Sequence, residues 1–312
     1  MADRPIHIPV LLQEILELGD TRTGQKWIDG TAGGGGHSRA LAQRVGQTGS
    51  VLAIDRDPAA VARLNETLQG ESVVPRCASY DDAPELMIEL GWSAADGILL
   101  DLGLSSDQLS DRQRGFSFAA DGELDMRFDP TSGQPAWQWL DRVSERELAD
   151  TIYRYGEERY SRRIAKRIVE QRQREPLRSP LVLRELIHRC VPGARQARLD
   201  PATRTFQALR IMVNDELNIL ERALQRMPDL LAPQGRLLVI SFHSLEDRIV
   251  KNAFRDDVRL EVVTRKPVMA GELELESNHR SRSAKMRVAR RRTEQEQAAA
   301  TFNLPDATRL GR

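Results

Sequence analysis

Cysteine is nearly absent from this chain of 312 residues. The two present, Cys77 and Cys190, sit outside any paired ligand motif, which excludes a disulfide framework and a cysteine zinc site and points to a reducing compartment. No apolar run approaches the length of a membrane span, and Met1-Ala2-Asp3-Arg4-Pro5 lacks the apolar centre of a signal peptide, so the expected location is cytoplasmic, with no membrane partner. Net charge is missing as well: 46 Lys and Arg balance 46 Asp and Glu, so any nucleic-acid surface has to come from local charge. No metal-ligand motif occurs. What remains, with 40% hydrophobic residues, is a soluble globular chain long enough for two domains or for one domain carrying an insertion.

The most informative stretch present is Trp27-Ile28-Asp29-Gly30-Thr31-Ala32-Gly33-Gly34-Gly35-Gly36-His37-Ser38. An apolar strand ends in an acid and runs into four glycines, whose backbone can press against a cofactor where a parallel α/β sheet opens. A dinucleotide fingerprint counted from Gly33 and Gly35 needs glycine at 38, where Ser38 stands, so the pattern favours S-adenosylmethionine over NAD. A second strand, Ser50–Asp55, again ends in a carboxylate, and Asp57-Pro58 follows as a helix cap with proline at the first helical position. Asp55 stands where ribose hydroxyls are bound. A third apolar run, Gly97–Asp101, gives a third carboxylate on the same sheet edge.

The pattern divides the chain. Residues 1–108 alternate strands and helices. From 109 to 205 strand signals vanish and helix starts take over: the capping box Ser144–Glu147 and the cap-plus-proline pairs Ser179-Pro180 and Asp200-Pro201. Residues 206–292 return to the sheet, with a strand at Gly235–Ser241, a helix from about Ser244, and Leu260–Thr264 and Ala284–Ala289 as a final antiparallel pair of the kind that separates methyltransferase sheets from dinucleotide ones. Residues 293–312 have few anchors and read as a fraying, flexible tail. The predicted fold class is α/β, a Rossmann-like sheet with an inserted helical domain.

Two basic runs interrupt the overall balance. Arg159–Arg178 holds eight basic and two acidic residues, and Arg280–Arg292 holds seven basic residues and no acid. Both are candidate phosphate surfaces, against the plainer reading of solvated helix faces. In the first run Arg162, Arg163, Lys166 and Arg167 share one helical face and Tyr160, Ile164 and Ile168 another.

The ordered motifs His7–Leu12, Ile28–His37, Ala53–Pro58, Asp101–Ser106, Arg114–Phe118, Leu124–Arg127, Tyr155–Arg159, Ala202–Gln207 and Ser241–Arg248 resemble those of the bacterial ribosomal RNA small subunit methyltransferase H family (MraW/RsmH), from His7 to about Arg290. The resemblance implies a class I S-adenosylmethionine-dependent methyltransferase sheet interrupted by a helical substrate-recognition domain. It also implies methylation of the exocyclic N4 of a decoding-centre (P-site) cytidine in 16S rRNA of the small ribosomal subunit. Carried over by position, Gly35, Gly36 and His37 match the donor-binding loop, Asp55 the ribose carboxylate, Tyr80 an aromatic position beside the adenine, Asp101 the acidic end of the fourth strand and Gln108 a polar contact after it. This chain departs at Tyr80, where phenylalanine is common, and at His279, where proline is usual.

Plainer roles stand beside these. His37 can hold the loop rather than touch ligand, Tyr80 can be ordinary core, and Asp29 can either bind the methionine amino group of the donor or, as expected here, order the glycine loop by accepting N–H bonds. His243 either contacts substrate or serves the start of a helix, and Phe116 and Phe118 either stack on RNA bases or seal the insertion. The chemistry narrows the choice. Methylation at carbon 5 of cytosine needs a cysteine nucleophile, and neither cysteine neighbours a cofactor motif, whereas an exocyclic amine needs only in-line placement and an acceptor for its protons. Asp101 or a nearby main-chain carbonyl is the expected acceptor, since Asp101-Leu102-Gly103-Leu104 replaces the Asp/Asn-Pro-Pro-aromatic motif of other amino methyltransferases. No metal is required. Two rivals remain: an NAD oxidoreductase, disfavoured by Ser38, and a non-catalytic RNA-binding or assembly factor, opposed by the intact glycine loop and strand-end carboxylates.

Overall fold

The computed structural model describes residues 9–118, 122–193, 196 and 199–302; Met1–Pro5, His7, Ile8 and Pro305 of the sequence reading lie outside them. The described residues form two compact units, those of 9–103 with 220–302, and those within 104–219. The second is wider than the 109–205 expected for the insertion, because the helix Ala202–Asn214 (α10) puts Phe206 and Leu209 into that unit's apolar core.

The first unit is built on seven strands, β1 Lys26–Asp29, β2 Ser50–Asp55, β3 Val73–Cys77, β4 Ala95–Asp101, β5 Leu231–Ser241, β6 Leu260–Val262 and β7 Lys285–Arg291, in the order β3-β2-β1-β4-β5-β7-β6. Strands β1 to β5 pair in parallel, and β7 runs antiparallel to both β5 and β6, so the expected terminal antiparallel pair is present. The central strands are apolar throughout because both sheet faces are covered: Ile98, Leu99 and Leu100 of β4 are fully buried. Trp27 lies across β4, and a Cβ on its partner Gly97 would sit 2.5 Å from the indole ring, so glycine is required there. Helices α1 (Leu12–Leu18), α2 (Gly36–Val45), α3 (Pro58–Thr67), α4 (Ala83–Glu89), α11 (Glu216–Leu230), whose Leu220, Leu224 and Met227 join the sheet core, and α12 (Ser244–Asp256) alternate with the strands, and α13 (Glu272–Ser277) precedes β7. Helix α3 starts as read, with Asp57 accepting the Ala59 N–H at 3.0 Å.

The second unit is helical: α5 (Ser106–Ser110), α6 (Ala136–Arg142), α7 (Glu145–Gly156), α8 (Ser161–Arg172), α9 (Pro180–Cys190) and α10. Ser179 caps α9 as read, accepting the Val182 N–H, and Ser144 caps α7 with the forward half of its box, accepting the Glu147 N–H; α10 begins one residue later than read, with Pro201 as its N-cap and Asp200 accepting the Ala202 N–H. Gly156 lets α7 approach α10, since a Cβ there would meet the Arg204 carbonyl at 2.4 Å. Among the described residues no helix is long and apolar enough to cross a membrane.

Of the tail expected over 293–312, the described part is ordered: residues Glu294–Phe302 form a helix (α14), and 303–312 lie outside the described residues. Thr293 and Glu296 make a reciprocal cap, Thr293 N–H to Glu296 at 2.8 Å and Glu296 N–H to Thr293 at 3.3 Å, and Glu296 also holds Arg290 of β7.

Candidate active site

Strands β2, β1 and β4 are neighbours, so Asp55, Asp29 and Asp101 stand on one sheet edge. Asp29 is fully buried and takes the ordering role: it accepts the Ser38 hydroxyl at 2.6 Å and the Thr31 N–H at 3.2 Å. Ser38, where a dinucleotide fold would carry glycine, therefore anchors the loop to β1. Burial pushes the Asp29 carboxyl above the usual range, against the pull of His37.

Asp55 accepts the Gly33 N–H at 2.7 Å and the Asp57 N–H at 2.8 Å. Burial outweighs these two bonds and, with the nearby charges of Asp57 and Asp29, pushes it up to about 6. The glycine loop between is shaped by conformation and close approach. Gly33 and Gly35 have φ of 49° and 80°, and Gly35 is the N-cap of α2. A Cβ on Gly35 would meet Leu64 at 2.6 Å and one on Gly36 would meet Pro9 at 2.6 Å. Tyr80 lies in a 3-10 turn (Tyr80–Asp82) against the start of the loop, where a Cβ on Gly30 would be 2.9 Å from its own Cβ.

Asp101 is the third carboxylate. Its N–H donates to Thr31 Oγ1 at 2.6 Å, its Oδ2 lies 3.7 Å from His37 Nδ1, and its Oδ1 is buried without a hydrogen-bond partner. Burial pushes it up to about 6, opposed by His37 and Arg280 and reinforced by Asp29 and Glu246. His37 is itself buried, its Nε2 donating to the Val10 carbonyl at 2.9 Å.

The other singled-out residues separate clearly. Gln108 is buried in the helical unit, where it completes a capping box with Ser105 at the start of α5. His243 serves the start of α12: its Nδ1 accepts the Glu246 N–H, and Glu246 in return accepts the Phe242 N–H at 2.8 Å. Phe116 and Phe118 belong to the core of the helical unit, against Phe128 and edge-on to Phe206. At the departure from the family pattern, His279 opens a 3-10 turn (His279–Ser283) capped by the side chain of Asn278.

The two basic runs also part company. Arg162, Arg163, Lys166 and Arg167 are exposed on α8 while Ile164 and Ile168 are buried, as the periodicity required. The C-terminal run is largely consumed by the fold, which corrects its reading as an open phosphate surface. Arg287 pairs with Asp247 at 2.6 Å, Arg290 with Glu261 and Glu296, and Arg291 donates to the carbonyls of Asp229 and Leu231. Thr31, Glu246 and the Val10 carbonyl are site groups that sequence reasoning missed. All three lie inside quoted motifs, Ile28–His37, Ser241–Arg248 and His7–Leu12, but nothing local to them showed that they would meet at the site.

These groups suit a cationic, ribose-bearing methyl donor. The edge is acidic, the groups adding charge at Asp55 are themselves carboxylates, and Asp101 keeps a buried acceptor unused. The glycine loop and Asp55 would hold the donor, with the Tyr80 ring beside its base. Among the described residues no cluster could hold a metal ion.

Comparison with known proteins agrees with this chemistry. Residues 4–292 match the MraW methylase family. The chain is 52% identical to the ribosomal RNA small subunit methyltransferase H of Rhodopirellula baltica over 91% of each chain. It is 49% identical to that of Synechococcus elongatus, over 91% of this chain and 94% of the relative. Among solved structures, an rRNA methylase from Streptococcus thermophilus matches with a TM-score of 0.43 at 10% identity, covering 94% of this chain and 99% of the other. The chain thus belongs to the MraW methylase family, a family of S-adenosylmethionine-dependent methyltransferases with a class I sheet.

Proposed function

We propose that this protein methylates small-subunit 16S rRNA, and that its target is the exocyclic N4 amine of the P-site cytidine in the decoding centre. The names of the relatives support the rRNA substrate, and the ordered motifs from His7 to about Arg290 support the cytidine. The observation that carries the chemistry is the unpartnered Oδ1 of Asp101 on an acidic sheet edge. When bound, S-adenosylmethionine supplies an electrophilic methyl group. The amine lone pair is delocalised into the ring, so the protein must hold N4 in line and accept its protons, and Asp101 Oδ1 is the acceptor. Cys77 ends β3, three strands from Asp101, which fits amine chemistry rather than attack on ring carbon by a thiolate. The exposed basic face of α8 binds the RNA backbone, and the target base leaves its stack to react. No metal takes part.

Labelled methyl transfer from S-adenosylmethionine to unmodified small subunits and to naked 16S rRNA, followed by nucleoside mass spectrometry, tests the reading. N4-methylcytidine is the expected product. Label on subunits but not on naked RNA makes assembled architecture part of recognition, and donor binding without transfer to either leaves the binding-factor alternative.

A further inference from the structure

A cleft of about 370 Å³ lies between α8 and α9 of the helical unit. Arg163 donates to the Arg189 carbonyl at 3.4 Å, so the end of α9 lies against the start of α8, and the short link 173–179 makes the two helices antiparallel neighbours. Each helix turns an apolar stripe inward, Ile164 and Ile168 from α8, Leu183 and Ile187 from α9. The adjoining stripe lines the cleft, and in both helices its residues fall three, four and seven positions after the first, which is one helical face. Helix α8 contributes Arg167, Glu170, Gln171 and Arg174. Helix α9 contributes Val182, Glu185, Leu186 and Arg189.

The two stripes repeat one chemistry. Each carries a glutamate beside an arginine about one turn away: Arg167 lies 2.7 Å from Glu170 Oε2, and Arg189 lies 3.6 Å from Glu185 Oε2. Both pairs leave Oε1 of the carboxylate to accept from a further donor. Among the described residues Arg174 forms no ion pair, and neither do Arg162 and Lys166 on the neighbouring exposed face of α8. The surroundings therefore favour a polyanion, yet the two glutamates inside the cleft oppose a bare phosphate. An unpaired nucleobase on a phosphate chain satisfies both signs. Guanidinium planes stack on its ring, a carboxylate accepts from its exocyclic amine, and the exposed cations take the phosphates on either side.

We propose that the α8–α9 cleft holds one unpaired base of the RNA and recognises it through an amino group, with Glu170 and Glu185 as acceptors and Arg174, Arg162 and Lys166 on the flanking phosphates. This deepens the proposed function and rests on its RNA substrate. It gives the helical unit a base-reading site of its own, beyond the backbone contact assigned to α8.

The test is fluorescence anisotropy of the full chain with labelled single-stranded pentamers of adenosine and of purine riboside, which differ only in the amine and keep the target base out of the comparison. The native protein should bind the adenosine pentamer at least about fivefold more tightly. Glu170→Ala combined with Glu185→Ala, at two surface positions where alanine suits a helix, should bring that ratio below about twofold. Arg174→Ala should weaken both pentamers alike and lower the salt slope by about 0.7. Equal binding of the two pentamers by the native protein overturns the proposal, as does a double variant that binds both more tightly with the ratio kept, the behaviour of a plain phosphate surface. An oligoglutamate peptide of equal charge that binds as well as the adenosine pentamer also overturns it, in favour of an acidic protein partner. Failure of the native enzyme to form N4-methylcytidine would sink the proposed target and leave this binding result standing.

Discussion

In the sheet unit three aspartates are drawn into one buried edge where two of them are pushed up to about 6, whereas in the helical unit Arg162, Arg163, Lys166 and Arg167 of α8 stay in water, and the acid that pairs with Arg167 at 2.7 Å, Glu170, lies at the surface with it. Both units carry charge, and the difference is solvent. A carboxylate stripped of water becomes basic enough to accept a proton near neutral pH, while an exposed guanidinium keeps its charge and is free to exchange a counterion for a phosphate. The contrast teaches that proton acceptance and phosphate binding make opposite demands on burial, and under the proposed function this chain would meet them in separate units.

The sharpest way to break the contrast is Asp101→Asn, which keeps the shape and removes the charge and the ability to take up a proton. Methyl transfer should fall by about 10² or more while donor affinity changes less than tenfold, read by turnover and calorimetry. Full turnover would remove Asp101 from the chemistry. On the other side, Arg162, Arg163, Lys166 and Arg167 changed together to Ala should weaken RNA binding and flatten its salt dependence, by up to about 0.9 in slope for each phosphate that is no longer neutralised. Donor affinity should not move, and unchanged RNA affinity would end the role of this face.

Gly35→Ala tests the loop itself. Its positive φ and the Leu64 methyl 2.6 Å from the new Cβ should destabilise the sheet unit by about 1–3 kcal/mol and weaken donor binding, seen in melting curves with and without S-adenosylmethionine. The titration of the edge has a definite sign. Asp55 and Asp101 hold their protons more tightly folded than unfolded, so their ionisation lowers stability as pH rises from about 4 through about 6, after which the effect is constant. Asp55→Asn should flatten that slope in urea titrations across the window. Smallest is Ser144→Ala, which removes the cap of α7 at about 1 kcal/mol and should leave both binding activities intact.

Most of the fold was legible because its signals are local. Strands ending in acids, Asp57-Pro58, Ser179-Pro180 and the apolar alternation of α8 each need only a few neighbouring residues to act. β3, with no fully buried residue, gave no such signal, and the cap that begins α14 hid in a charged stretch that looked loose. The C-terminal arginines show the limit most plainly. Seven basic residues in one short run read as a surface, and only the arrival of Asp247, Glu261 and Glu296 from other parts of the chain shows that β7 uses Arg287 and Arg290 internally. Phe116 and Phe118 likewise read equally well as stacking platforms or as core until Phe128 and Phe206 meet them.

The sequence by itself determined the parallel sheet with its terminal antiparallel pair, the glycine loop, the three strand-end carboxylates and the exposed basic face of α8, because each depends on the order of residues within one element. Only the tertiary structure decided how those carboxylates behave. The Asp101 carboxyl stands near 6 because burial, with Asp29 and Glu246 from other parts of the chain, outweighs the pull of His37 and Arg280, and His37 lies beside it with its ring held by the Val10 carbonyl. Desolvation and long-range hydrogen bonds belong to no single segment, so no reading of one segment contains them.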